Sequence, residues 1–255
     1  MLARPTTLGR ILLLSLLLDG CAFLPDSGRE SMSNAEKAKL NLQMGARYLD
    51  MGMLDVAKEK LETAVHLDSS NPETHNTLAV FYERIKQYDA ASESYQTALR
   101  KDSENFSVKN NYGRFLCEQG QFDKGMTLLQ QALESPMNNR AWFALTNMGV
   151  CYTKQNDMQH AEDYFRQALQ SQQDYSPALQ EMQRISYQNG QFMSARAFLE
   201  RYLSVAKHTP ETLWIAFQTE RALGNSKVSE EYREQLLSSF PASKEAQQVR
   251  TAISK

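Results

Sequence analysis

Apolar residues recur three and four positions apart along most of this chain. Leu78, Phe81, Tyr82 and Ile85 form one such set, and Phe192, Ala195, Phe198, Leu199 and Tyr202 another. That period lays a single apolar stripe along an α-helix. No stretch of any length alternates apolar and polar as a half-buried strand would. Helix starts are also marked. Asn71-Pro72, Ser176-Pro177 and Thr209-Pro210 each set an N-capping residue type before a proline. Proline suits a first helical position because the N–H it lacks would have no intrahelical partner there. Gly52, Gly120 and Gly224 predict turns between helices.

A longer period overlies the short one. The small residues Ala57, Ala91, Gly125, Ala161, Ala195 and Ser229 are separated by 34, 34, 36, 34 and 34 positions. A fixed period of that length is the mark of a stacked helical-repeat array. A small residue at one point of every repeat predicts a helix crossing too close for a large side chain. The 36-residue step contains Ser135-Pro136-Met137-Asn138-Asn139. Those extra residues are either a surface insertion, which costs little, or a contact loop or bend. From Ser243 to Ser254 the pattern predicts a capping helix with Ala246, Val249 and Ile253 turned inward. Its polar face carries Lys244, Gln247, Gln248 and Arg250, as the solvent side of a terminal cap requires.

Composition narrows function more than fold. The 255 residues are 42% hydrophobic, ample for a core, and 28 basic residues nearly balance 30 acidic ones. That balance gives no long-range pull toward nucleic acid or anionic lipid. Catalytic signatures are missing as well: there is no Gly-rich phosphate loop, no Gly-x-Ser-x-Gly and no His-Glu-x-x-His. His66, His75, His160 and His208 fall in different repeats without ligand spacing. No enzyme activity, metal, cofactor or small-molecule substrate is expected.

The first segment reads as targeting. Arg4 and Arg10 precede the apolar run Ile11 to Leu18, too short for a bilayer helix of ~20 residues. It ends in Leu18-Asp19-Gly20-Cys21-Ala22, which resembles a bacterial lipoprotein lipobox, although Asp19 departs from the pattern. The resemblance implies a signal peptide over 1–20, a lipidated Cys21 and a tether over 21–33. Ala22 is not the Asp that retains proteobacterial lipoproteins at the inner membrane. The implied address is therefore the periplasmic face of the outer membrane.

From Ala38 onward the chain resembles tetratricopeptide repeats. Gly45, Tyr48, Ala57, Leu61 and Ala64 fit that family's positions in a first repeat over 38–71. Ala79, Tyr82, Ala91, Tyr95 and Ala98 fit the second over 72–105, and Gly149, Tyr152, Ala161, Phe165 and Ala168 the fourth over 142–175. The third, 106–141, carries Gly113, Leu116, Gly125, Leu129 and Ala132. The fifth, 176–209, is weaker, with Gln183, Ser186 and Tyr202 at family positions, and the sixth, 210–243, is degenerate, with Phe217, Glu220, Ser229, Arg233 and Leu236. The resemblance implies an all-α, right-handed superhelical array of six helix-turn-helix pairs with a C-terminal capping helix over 244–255.

In that family a concave face lined by first helices binds partner peptides. The corresponding positions here are Leu42, Ala46 and Leu49, then Asn76, Val80, Glu83 and Arg84, then Asn110, Arg114 and Glu118, with Phe143, Val150 and Lys154 beyond. The first set is apolar, and either a partner or residues 33–37 and the tether cover it. Neighbouring first helices lie side by side, so Cys117 and Cys151 are candidates for a disulfide, which an oxidising periplasm favours. Two buried free thiols are the alternative. Redox catalysis by this pair finds no support in a Cys-x-x-Cys.

Lipobox, tether, repeat number and wording such as Asn110-Asn111-Tyr112-Gly113-Arg114-Phe115-Leu116-Cys117 are together similar to the PilF/PilW group of type IV pilus biogenesis lipoproteins, the secretin pilotins. The resemblance implies binding of secretin subunits, their localisation and multimerisation at the outer membrane, and support of pili and twitching motility. An adaptor for β-barrel insertion or for peptidoglycan enzymes is the alternative.

Overall fold

The computed structural model describes residues 32–253. The expected signal peptide, Cys21 and tether up to residue 31 lie outside the described residues. Thirteen helices and no strand are found among the described residues. Twelve of them pair in chain order. The first three pairs are α1 (Asn34–Asp50) with α2 (Leu54–Leu67), α3 (Pro72–Arg84) with α4 (Tyr88–Lys101), and α5 (Phe106–Glu118) with α6 (Phe122–Glu134). The next three are α7 (Ala141–Lys154) with α8 (Met158–Ser171), α9 (Ser176–Gln188) with α10 (Phe192–Leu203), and α11 (Pro210–Ala222) with α12 (Ser226–Ser239). α13 (Lys244–Ile253) closes the series. Packing is densest within pairs, and each pair also rests on the next one through contacts such as α5 with α7 and α8 with α9.

One turn closes all six hairpins. In the first, the Met53 N–H donates to the Tyr48 carbonyl at 2.9 Å and the Gly52 N–H to the Leu49 carbonyl at 3.1 Å. The same two bonds recur at Lys86/Gln87, Gly120/Gln121, Asn156/Asp157, Gly190/Gln191 and Gly224/Asn225. This Schellman pairing needs a left-handed residue. The four glycines supply it with φ of 72–77°. Lys86 and Asn156 are held in the same region at 61° and 64°. Glycine therefore marks four of the turns in the sequence, while the remaining two carry a side chain in a conformation that suits Gly better.

Caps refine the predicted starts. The Asn71 side chain accepts from the Glu73 N–H at 2.9 Å, and Thr209 exchanges bonds with Thr212 in a capping box. Ser176 is not a cap. It lies inside α9, behind the N-cap Tyr175. α1 begins at Asn34, four residues before the predicted repeat. Residues 34–37 are thus its first turn and continue the helix.

The periodic small residues sit where each pair crosses. Ala57, Ala91 and Ala161 are fully buried. At the third pair both partners are glycine: a Cβ on Gly113 would lie 2.8 Å from the Gly125 carbonyl, and one on Gly125 2.7 Å from the Gly113 carbonyl. In the sixth pair the Ser229 hydroxyl donates to the Phe217 carbonyl at 3.1 Å. Leu61, Tyr95, Leu129, Phe165 and Leu199 fill the core beside these crossings. Where the fifth and sixth repeats lose their last Ala, Tyr202 and Leu236 are buried in its place. Ala246 and Val249 of α13 cover Leu213 and Leu236. The side chain of Ile253, also expected inward, lies outside those described.

Candidate functional site

The first helices α1, α3, α5, α7, α9 and α11 carry the predicted binding positions, and polar side chains bridge successive members of this series. Between α3 and α5, Arg114 Nη2 contacts both oxygens of Glu83, at 2.9 and 2.8 Å, while Nη1 reaches Glu118 at 2.6 Å. The Tyr95 hydroxyl, rising from α4, also donates to Glu83. Burial, then the Glu83 charge, pushes the Tyr95 phenol far above its ordinary value. Burial alone would pull the Arg114 guanidinium down, but the Glu83 and Glu118 carboxylates outweigh it and hold it above its usual value. The Arg114 guanidinium thus sits between two carboxylates, while the Tyr95 phenol keeps its proton and donates it to Glu83.

An asparagine ladder continues from this cluster. Asn76 Nδ2 donates to Glu73 at 3.3 Å, Asn111 Nδ2 to Asn76 at 3.1 Å, and Asn147 Nδ2 to Asn110 at 3.0 Å. Farther along α5 and α7, Cys117 and Cys151 are joined as a disulfide with Cα atoms 5.2 Å apart. Gln180 donates to Glu211 across α9 and α11 at 3.0 Å. Each bridge holds two neighbouring repeats at fixed spacing, so this face is braced before any partner arrives.

These bridges change the meaning of several predicted contacts. Glu83 and Arg114 spend bonds on each other, Asn76 bonds to Glu73 and Asn111, Asn110 accepts from Asn147, and Asn76 is buried. Leu49 is 3% exposed and belongs to the core with Ala57, Leu61, Leu78 and Phe81, so it is not a contact surface. Leu42, Ala46 and Val80 are half-buried, while Arg84, Glu118 and Lys154 are exposed. Cys21 lies outside the described residues. Asn147 was missed by the sequence reading. Its signal was present: Asn111 and Asn147 are 36 positions apart, the same step as the irregular repeat, so both occupy one repeat position.

The inserted loop is built, not slack. The Asn138 N–H donates to the Ser135 carbonyl at 2.9 Å, Asn138 Nδ2 to the Ala132 carbonyl at 2.8 Å, and the Arg140 N–H to Asn138 Oδ1 at 2.9 Å. Between this loop, α5 and α7 lies a cleft of about 130 Å³, lined by Phe106, Asn110, Asn111, Asn138, Arg140 and Phe143 among others. A larger open depression of about 630 Å³ runs between α8 and α10. Its arginines are engaged: Arg166 pairs with Glu162, and Arg201 donates to the Gln173 carbonyl and lies over the Phe198 ring. Among the described residues no group of three or more His, Cys, Asp or Glu is placed to hold a metal. No described helix is long and apolar enough to cross a membrane.

Three family models, each described as tetratricopeptide repeat, match residues 42–106, 86–148 and 142–175, and together span just over half of the chain. The chain is a tetratricopeptide-repeat protein. Its repeats form a protein-interaction fold, consistent with a braced face. No curated protein sequence matches it. Among solved structures it is similar to PilW, described as a widely conserved type IV pilus biogenesis factor, with 29% identity and a TM-score of 0.71. That likeness covers 83% of this chain and 97% of PilW. Pseudomonas aeruginosa PilF is similar at 25% identity and a TM-score of 0.70, over 86% of this chain and 99% of PilF. The Cut9–Hcn1 complex of the APC/C is similar at 16% identity and a TM-score of 0.71, over 83% of this chain and 42% of the matched one. It shares the fold alone.

Proposed function

We propose that this protein is a lipid-anchored adaptor of type IV pilus biogenesis, a pilotin. It binds secretin subunits and brings them to the outer membrane, where they multimerise and support pili and twitching motility. The observation that carries this reading is the likeness to PilW, which runs over nearly the whole of PilW and most of this chain. The lipobox-like Leu18 to Ala22 supports the anchor. The mechanism is physical. The braced first-helix face captures a secretin segment, with the partly exposed Leu42 and Ala46 as the apolar entry in the first pair. Lipid at Cys21 then confines the captured subunit to the membrane surface, which raises its effective concentration for ring assembly.

The test is a gene deletion, followed by electrophoresis of unboiled membranes and by pilus imaging. The expected result is secretin monomers and bare cells, restored by the wild-type gene but not by Cys21→Ser. Normal secretin multimers in the deletion strain overturn the proposal. Photo-crosslinking from position 42 should trap secretin; recovery of barrel-assembly or cell-wall proteins instead assigns the adaptor to another envelope system.

A further inference from the structure

We propose that the outer face of α1 is a dimerisation surface, on which a second copy of this chain lays its own α1 antiparallel. This goes beyond the adaptor reading and does not depend on the partner that reading names.

The array is closed at one end only. At the far end Ala246 and Val249 of α13 cover Leu213 and Leu236, and the solvent side of α13 carries Lys244, Gln247, Gln248 and Arg250. Among the described residues no helix precedes α1. The consequence shows at two repeat positions. Thr74, Val108, Ala144, Ala178 and Thr212 occupy the first of them in successive repeats and are at most 1% exposed. They are covered because each pair rests on the one before it, as α3 does on α2 and α7 on α6. Their counterpart in the first repeat is Leu40, 34 positions before Thr74, and it is 45% exposed. Phe81, Phe115, Cys151, Ile185 and Thr219 are buried at the second position, where the first repeat has the exposed Arg47. Met44 is half-buried beside these two, and Met51 is 61% exposed. At ~100° per residue, Leu40, Met44, Arg47 and Met51 fall within about 60° of one another. They point away from Leu42, Ala46 and Leu49, so this stripe is separate from the face proposed to take a secretin segment.

A second copy fits the stripe because its charges complement themselves. Glu36 lies one turn before Leu40 and Arg47 two turns after it, both on the same flank. About a twofold axis near the level of residue 42, antiparallel α1 helices set Leu40 against Met44 of the second copy and Glu36 against its Arg47. The symmetry then repeats each contact. Arg47 has no ion-pair partner among the described residues, whereas Arg114, Arg166 and Arg196 each pair with a carboxylate. A carboxylate has about four acceptor sites, so Glu36 can take the incoming guanidinium alongside any bond within its own chain.

Closure separates a dimer from a filament. A head-to-tail contact would set Leu40, Met44 and Met51 against the polar side of α13. Pairing of like with like instead closes after two copies. Size sets the strength. The 17 residues of α1 span about 25 Å, and one helix pair is smaller than the ~800 Å² per partner of a stable interface. The dimer is therefore weak and reversible.

Sedimentation equilibrium of the purified full chain, from about 1 to 500 µM, reads the association. A monomer–dimer equilibrium is expected, with no larger species. Leu40→Glu, Arg47→Glu and Glu36→Arg should each weaken it at least tenfold. The Glu36→Arg, Arg47→Glu double variant rebuilds both pairs with their signs reversed and should recover most of the loss. Circular dichroism should show every variant folded, since each altered side chain is exposed. A monomer at every concentration overturns the proposal and leaves the stripe to the residues before Met32 or to another protein's helix. An open series of oligomers, a dimer indifferent to Leu40→Glu, or a double variant no tighter than either single one also overturns it. None of these readouts involves pili, so the dimer and the pilotin reading stand or fall separately.

Discussion

Gly125→Ala opposes two effects whose sizes the structure allows to be compared. In an ordinary helix interior the change is favourable by about 1 kcal/mol, because Ala loses less backbone entropy and is the better helix former. Here the new Cβ would lie 2.6 Å from Cys117 Sγ, 2.7 Å from the Gly113 carbonyl oxygen and 3.1 Å from the Cys117 nitrogen. Two of those atoms are backbone of α5. The third is tied to Cys151 by the disulfide and cannot swing aside. Overpacking a close-packed site typically costs about 1–3 kcal/mol, and with rigid neighbours the upper end applies. The net expectation is destabilisation of about 1–2 kcal/mol after the helix gain is subtracted. Urea unfolding of the full chain, followed by circular dichroism with the disulfide intact, measures it. Gly113→Ala is the partner experiment and should behave alike, since its Cβ would meet the Gly125 carbonyl and Leu129. An unfolding midpoint for Gly125→Ala equal to or above that of the parent would refute the reasoning, because it would mean that α5 and α6 separate at no cost.

Other substitutions test other elements of the array. Lys86→Gly relieves a left-handed backbone at an exposed turn and should stabilise by about 0.5–1 kcal/mol, read as a higher midpoint in the same urea series. The Cys117→Ala, Cys151→Ala double variant removes a link between residues 34 positions apart and should cost about 3–4 kcal/mol in the chain-entropy model; an unchanged midpoint under oxidising conditions rules that out. Glu83→Ala strips Arg114 of its two-oxygen partner and leaves the buried Tyr95 hydroxyl unbonded, an expected loss of about 2–3 kcal/mol by thermal or urea unfolding. Glu220 provides a pH test. Burial alone would raise its carboxyl pKa, but hydrogen bonds from Arg196 and Asn225 and the Arg196 charge together hold it below 4.5. Its contribution is therefore complete above the unfolded value near 4.5 and is lost as pH falls through the depressed folded value. Glu220→Gln should destabilise at neutral pH and flatten the acid limb of the stability curve; an unaltered acid limb contradicts the assignment.

The fold was legible because its determinants are local and repeated. Small residues at each crossing, an apolar stripe on each helix and glycines at four turns all recur with one period, so each occurrence supports the others. The turns at Lys86 and Asn156 escaped notice for a physical reason. The Schellman bonds and the packing of the two helices fix that conformation whatever residue occupies it, so no glycine is obligatory. Ser176 was taken for a cap from its type alone, whereas capping is decided by which residue leaves helical geometry first, and that is Tyr175.

The first-helix face was harder to read, because its positions are fixed by period but their roles are decided by neighbours 31 to 37 positions away. Leu49 and Leu42 lie seven residues apart on one helix. Leu49 is buried by Leu61 and Phe81 from two other helices, while Leu42 keeps part of its surface. Sequence alone places both on the same stripe. The same holds for polar residues. Asn76 and Asn110 have the chemistry of peptide grips, yet the structure pairs them with Asn111 and Asn147 along the face. Irregularity carries information of the opposite kind. In the degenerate sixth repeat, Glu220 replaces an expected aromatic and is matched by Arg196 of the fifth, at 2.7 and 2.5 Å. In the fifth repeat, Gln183 replaces a small residue and reaches the Thr212 carbonyl at 3.3 Å. Both departures add bonds between repeats where the repeated packing residue is missing. The 36-residue step adds no such bond across the crossing; its loop is tied to its own turn and opens a cleft beside an unpaired Arg140. A departure that braces neighbouring repeats serves the array, whereas the two extra residues of this step are absorbed by a loop that Asn138 closes onto the end of its own helix, so the pitch changes and the crossings do not.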